Sequence, residues 1–281
     1  MDVDEAIAPL EPGYDALLAR VVEVLEADAR VRALWLSGSV GRGAADAGSD
    51  LDLVVTVVSP AGFTDPTVWA VLDPVITTPI PGLPGCFAFT TREGLRVDVV
   101  LETPADVAGS PYSRRVRVFD RDGLEPPSPD VAGEGPDLER MQAIVTEFHR
   151  QAAIFPAAVV AREDWLLGQS AVHHYRTMLY DLFVEANQPL PVMGVKQWSS
   201  RLNDGQREVL RALVPPAAER EPVTAAMVAV AAAIAEHGRA ALEAAGGVWP
   251  DDVSEAIGAY WARHGLVWPA APPDLLPGRL R

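Results

Sequence analysis

Apolar positions along the chain change period twice, and the changes mark out its elements. Residues 13–29, "GYDALLARVVEVLEADA", repeat Leu and Val at three- and four-residue spacing, which predicts an opening helix. "VRALWLSG" then reads as a strand ending in a glycine turn. "DLDLVVTVV" reads as a second strand, whose alternation sends Asp50 and Asp52 to one face and Leu51 and Leu53 to the other. A short helix is expected around Thr67–Leu72. The segment "CFAFTTREGLRVDVVLE" predicts a hairpin, Cys86–Thr91 and Leu95–Leu101 around a turn at Glu93-Gly94, and "VRVFD" adds a further short strand.

The pattern changes at "RDGLEPPSPDVAGEGPD", residues 121–137, where Pro and Gly accumulate between two periodic regions. This is the expected linker between a first domain, residues 1–122, and a second, residues 137–270, with 271–281 as an irregular tail. Beyond it nothing reads as a strand. "LERMQAIVTEFHRQAAIF", "DWLLGQSAVHHYRTMLYDLFVEA", "DGQREVLRALV", the alanine-rich stretch 223–245 and "DDVSEAIGAYWARHG" all carry helical spacing. The expected architecture is a small α/β domain followed by an all-α bundle.

Composition adds limits to this picture. With 49% apolar residues over 281 positions, the chain can build one large core or two modest ones. The net charge of −16 argues against a nucleic-acid partner, since counterion release needs a basic surface. It suits a cationic small substrate or simply solubility. A single cysteine, Cys86, excludes an internal disulfide and fits a reducing compartment. The acidic start "MDVDEAIAPLEPGYD" has no apolar core and is no signal peptide. No stretch is expected to span a membrane; "VTAAMVAVAAAIAEHGRAAL" comes closest, but it is alanine-rich and ends in charge. A cytoplasmic protein is the expectation.

The candidate chemistry lies in "LSGSVGRGAADAGSDLDLVVTV". It lacks the Lys-Ser or Lys-Thr of a Walker A loop, and Gly38, Gly41 and Gly43 are spaced G-x-x-G-x-G rather than as a dinucleotide fingerprint. What remains is a strand, Gly-Ser, a glycine-rich turn and Asp-x-Asp entering the next strand. A glycine turn leading into a helix offers backbone N–H groups to phosphate, and the Ser39 hydroxyl and Arg42 cation would add contacts. Asp50 and Asp52 would stand about 6–7 Å apart along one strand face. Mg²⁺ commonly bridges such carboxylates to substrate phosphates. A phosphate cradle beside a magnesium site makes a phosphoryl or nucleotidyl transfer site.

"GSVGRGAADAGSDLDLVV" resembles the signature of the DNA polymerase β-type nucleotidyltransferases, and the whole chain is similar to the small bacterial enzymes of that superfamily that modify aminoglycosides and lincosamides. The resemblance implies a minimal α/β nucleotidyltransferase domain with a mixed sheet, followed by a helical bundle, with substrates bound between them. It implies two Mg²⁺ ions on Asp50 and Asp52 and a third acid on a later strand. "LRVDVVLE" supplies that acid as Asp98, with Glu102 in reserve. In polymerases the third acid is a metal ligand; in many antibiotic-modifying members it is the base for the acceptor hydroxyl, and both roles stay open here. Within "GVKQWSSRL" the only lysine, Lys196, is a candidate triphosphate contact, followed more loosely by Trp198 and Arg201. Glu163 and Trp165 are candidate acceptor contacts, though Glu163 and Asp164 are equally placed to cap a helix. His173 and His174 are adjacent and would point about 100° apart on a helix, so they do not form a metal pair.

The expected function is therefore transfer of a nucleoside monophosphate, from ATP or another nucleoside triphosphate, to a hydroxyl of a small cationic antibiotic, with release of pyrophosphate. Two alternatives stand beside it: a toxin or regulator of this fold that modifies a protein or a tRNA, and a non-catalytic nucleotide-binding module. Whether the chain forms a homodimer is left open.

Overall fold

The structure is a computed structural model, which describes residues 2–128, 135–190 and 197–269. These fall into two compact units, residues 2–128 and the remainder.

In the first unit, after the short helix α1 (Val3–Ile7), helix α2 (Tyr14–Ala27) turns Leu17, Leu18, Val21 and Leu25 inward, as its spacing predicts. Six strands follow: β1 (Val31–Leu36), β2 (Leu51–Val57), β3 (Pro74–Pro79), β4 (Phe87–Thr91), β5 (Arg96–Glu102) and β6 (Val116–Asp120). They form a mixed sheet in the order β3-β4-β5-β2-β1-β6. Only β2 and β5 run parallel; every other neighbouring pair is antiparallel. The expected hairpin is present as β4–β5.

Edge strand β3 was not anticipated from the sequence. Prolines stand at both its ends and its residues are almost all exposed, so it carries no apolar alternation to read. The expected helix near Thr67 is a 3₁₀ segment, Pro66–Leu72, capped by the Asp65 carboxylate.

The two faces of the sheet differ. Leu34, Leu36, Leu51, Leu53, Val55, Val97 and Val99 join α2 and Trp69 in one buried core. Among the described residues the opposite face holds a small apolar group, Ala33, Trp35 and Val54, covered by Tyr112 and Leu124. Asp52, Thr56, Asp98 and Glu102 alternate onto that second face.

The second unit is helical: α4 (Leu138–Phe155), α5 (Trp165–Ala186), α6 (Asp204–Ala212), α7 (Arg220–Ala233), α8 (Arg239–Ala244) and α9 (Asp251–Arg263), numbered onward from the four-residue turn α3 (Gly38–Gly41) of the first unit. Side chains cap three of them: Asp137 on α4, Asp164 on α5, and Asn203 with Gln206 as a reciprocal box on α6. Phe148, Phe155, Tyr175, Leu179, Met227 and Trp261 centre its core. The expectation about membrane spans needs correction. The helical stretch Arg220–Ala244, 25 residues, is long and apolar enough to cross a membrane. Alanine lowers its mean hydropathy, 1.3, without adding charge. In this fold its stripe of Val223, Met227, Val230 and Ile234 is buried in the bundle core.

Candidate active site

The turn after β1 is built against the first residues of β2. Ser37 N–H donates to the Asp52 carbonyl at 2.9 Å, which ties the end of β1 to β2. Gly38 follows in the left-handed region at φ +58°, and a Cβ placed there would stand 1.6 Å from Asp52 Oδ2. Any side chain at position 38 would therefore occupy the space of the Asp52 carboxylate. Gly41 is as tightly constrained: its Cβ would fall 2.2 Å from the Arg114 carbonyl oxygen. These two glycines allow close backbone approach, one to an acid and one to the segment that crosses from β5 to β6.

Between turn and strand, Asp46 organises the loop. Its carboxylate accepts from Gly48 N–H at 2.9 Å and from the Ser49 hydroxyl at 3.1 Å. Arg96 donates to the Gly48 carbonyl at 2.6 Å, and Tyr14 hydroxyl accepts from Arg96 N–H at 3.0 Å, so the loop is pinned to the start of β5. Asp46 is thus a turn residue, while Asp50 and Asp52 sit at and inside the entry of β2, both half-buried.

The parallel register sets Asp52 directly beside Asp98, and Leu51 beside Val97. Neighbouring strands lie about 4.8 Å apart, so two half-buried carboxylates share one small area of the sheet face. Glu102, four residues further on, is engaged elsewhere. It is buried in an ion pair with Arg115 at 2.6 Å and accepts from Thr56 Oγ1 at 3.1 Å.

Two polar atoms on the glycine turn have no hydrogen-bond partner among the described residues although both are buried: Ser39 Oγ and Arg42 Nε. Orphaned buried donors are costly, and a hydroxyl with a guanidinium on one turn suits phosphate oxygens. Among the described residues no group of three or more His, Cys, Asp or Glu side chains is close enough to hold a metal ion. A three-acid cage is not what magnesium requires, however. It is commonly held by one or two carboxylates, with phosphates and waters completing its shell. The Asp52–Asp98 neighbourhood, with Asp50 at the strand entry, has the hard oxygen donors for that.

In the helical unit, Glu163 is exposed and adopts φ +54°, while the neighbouring Asp164, not Glu163, caps α5 by accepting from Leu167 N–H at 3.0 Å. Trp165, half-buried, packs on the bundle core. Trp198 lies flat on Tyr180, ring centroids 3.6 Å apart. His173 and His174 are exposed; Tyr175 and His149 are core residues. Lys196 lies outside the described residues.

The sequence reading passed over Tyr112. It covers the small apolar group on the acid face, and burial first, then the fields of the neighbouring Cys86, Asp52, Glu102 and Asp98, raises its phenol above the ordinary tyrosine value. No local pattern marks it, because it lies in an irregular crossing.

Residues 18–121 match the family described as Nucleotidyltransferase domain. No curated protein matches the sequence. Solved structures similar to the chain include the following two. One is an aminoglycoside 6-adenyltransferase from Bacillus subtilis, 14% identical, covering 89% of this chain and 97% of that one at a TM-score of 0.38. The other is a nucleotidyltransferase-like protein from Exiguobacterium sibiricum 255-15, 12% identical, covering 90% and 92% at a TM-score of 0.30. Likenesses this remote carry nothing about the acceptor.

Proposed function

We infer that this chain, whose residues 18–121 match the Nucleotidyltransferase domain family, transfers a nucleoside monophosphate, AMP from ATP in the first instance, to a hydroxyl of a small cationic antibiotic of the aminoglycoside or lincosamide kind. The observation that carries the reading is the register Asp52 beside Asp98, under a turn whose Gly38 backbone abuts the Asp52 carboxylate.

In this reading the acceptor hydroxyl attacks the α-phosphorus in line, and the bond from that phosphorus to the bridging oxygen breaks. Pyrophosphate departs with the electron pair. Asp98 takes the hydroxyl proton, since a carboxylate at the acceptor side is a suitable general base. Ser39 and Arg42 bind phosphate oxygens, a reading supported by the buried Ser39 Oγ and Arg42 Nε, which have no hydrogen-bond partner among the described residues. Asp50 and Asp52, with Asp98 adjoining, would hold Mg²⁺, which when bound supplies positive charge against the triphosphate. Lys196 is proposed as a further triphosphate contact. Glu163 and Trp165 are proposed for the acceptor, an exposed carboxylate next to a half-buried indole being suited to an organic cation.

The net charge of −16 supports a cationic acceptor over a nucleic acid. The test is a panel of aminoglycosides and lincosamides incubated with ATP, GTP, CTP or UTP and Mg²⁺, read by pyrophosphate release and product mass. One drug gaining one nucleotide mass is the expected result. No mass gain on any drug with any nucleotide overturns the acceptor class.

A further inference from the structure

The segment from β5 to β6 crosses the same sheet face that carries Asp52 and Asp98, and a buried ion pair holds it there. The Arg115 and Glu102 side chains are 1% and 6% exposed, with Arg115 Nη1 at 2.6 Å from Glu102 Oε1. Such a pair is tolerated only when further hydrogen bonds satisfy both partners, because desolvation consumes most of the Coulombic gain. Both are satisfied here. Glu102 accepts from Thr56 Oγ1 at 3.1 Å, and that oxygen accepts from Trp35 Nε1 at 3.2 Å. The guanidinium lies 5.4 Å from the Trp35 ring, and Arg115 Nε donates to the Tyr112 carbonyl at 2.6 Å.

The last contact gives the network a direction. The arginine fixes the backbone of Tyr112, and Tyr112 N–H also donates to Ser110 Oγ at 3.3 Å. Tyr112 packs against the group of Ala33, Trp35 and Val54, of which Val54 stands one row along β2 from Asp52. Its phenol, like any tyrosine hydroxyl at neutral pH, is uncharged and can donate. The acid face thus carries a neutral donor on a clamped backbone. Carboxylates alone repel an incoming phosphate, whereas a neutral hydroxyl donates to it without adding charge.

We propose that Tyr112 is a triphosphate-binding residue, its phenol hydroxyl donating to a phosphate oxygen, and that Arg115 with Glu102 are positioning residues that hold it over the acid face. The proposal rests on the nucleotidyl-transfer reading of the site. A merely structural Tyr112 would be replaced without loss by phenylalanine, which keeps the ring and loses only the hydroxyl.

Calorimetry with Mg²⁺ and the α,β-methylene analogues of the four nucleoside triphosphates tests it. Tyr112→Phe should keep the wild-type melting temperature while its affinity for the bound analogue falls about 10- to 100-fold, the range for a hydrogen bond to a charged group. The KM for the acceptor should not move. Equal affinity in Tyr112→Phe and wild type overturns the inference and leaves the reading of the site standing. A wild-type protein that binds none of the four analogues removes that reading and the inference with it. Arg115→Met should lose the same affinity, and adding Tyr112→Phe to it should cost nothing more, since both act through one contact. Full additivity overturns the positioning role. If Arg115→Met does not fold, Glu102→Gln, which keeps the shape of the side chain, takes its place in the cycle.

Discussion

At the scale of single residues, the arrangement ranks the aspartates by what each touches. Asp46 closes a turn, and its contacts are local. Asp52 and Asp98 meet only because two strands pair in parallel. Asp52→Asn should therefore abolish transfer while the protein remains folded, with Asn nearly isosteric but lacking the charge that holds a hard cation. Turnover within about threefold of wild type would remove the metal assignment. Asp98→Asn separates two roles. As the general base it should lose about 10²–10⁴-fold in rate with an unchanged Mg²⁺ midpoint, whereas a metal ligand would shift the midpoint strongly. Gly38→Ala tests the turn. The substituent would enter the space of the Asp52 carboxylate at a backbone angle that disfavours a side chain, so activity should collapse and the melting temperature fall. An alanine variant with wild-type turnover would show that the close approach is dispensable.

Whole elements are limited by how near they pack. Helix α5 passes Val223 on α7 at Gly168, where a Cβ would sit 2.5 Å from Val223 Cγ1 and 2.8 Å from Val159 Cγ1. Alanine favours a helix over glycine by about 1 kcal/mol, yet overpacking costs about 1–3 kcal/mol. Gly168→Ala should be destabilising on balance, seen as a lower urea midpoint with an unchanged slope. The bundle also contains a proton-sensitive element. His149 on α4 is buried between Phe148 and Trp249, and its Nδ1 lies 2.8 Å from the Val145 carbonyl as a donor. Burial, opposed by that hydrogen bond, pushes its pKa below the ordinary value of 6.5. The unfolded chain then binds the extra proton first. Stability from a neutral His149 is full above about pH 6.5 and is lost as the pH falls towards the depressed folded value. Melting curves from about pH 7.5 to 5.5 should decline in the wild type and decline less in His149→Phe. Parallel curves for the two proteins would place the acid sensitivity elsewhere.

For the molecule as a whole, the dominant quantity is a net charge of −16 on 281 residues. A negative surface raises the local concentration of cations and repels anions, and salt removes both effects over a Debye length of about 10 Å at 0.1 M. Raising NaCl from about 20 to 300 mM should lower kcat/KM for a cationic acceptor several-fold, mostly through the association rate. It should spare, or slightly improve, binding of the triphosphate. A salt-independent kcat/KM would mean that the charge serves solubility alone.

The alternation in "DLDLVVTVV" and the spacing along α2, α4 and α5 were readable without a structure, because strand and helix periods are local properties of the backbone. So was the pairing of a glycine turn with Asp-x-Asp, since both lie within one short stretch of chain. That a residue at 163–164 caps a helix was visible for the same reason, although which of Glu163 and Asp164 does the capping depended on backbone angles. Strand pairing was not readable. An alternating pattern assigns a side chain to a face and says nothing about the neighbour on that face. Asp98 and Glu102 share one pattern on one strand, and tertiary contacts alone separate them: Asp98 lies beside Asp52, and Glu102 is held by Arg115 and Thr56. Tyr112 and edge strand β3 were hidden for a related reason. Each takes its position from a partner distant in sequence, and a pairing between distant segments is selected by the packing energy of the whole unit rather than by any stretch of it.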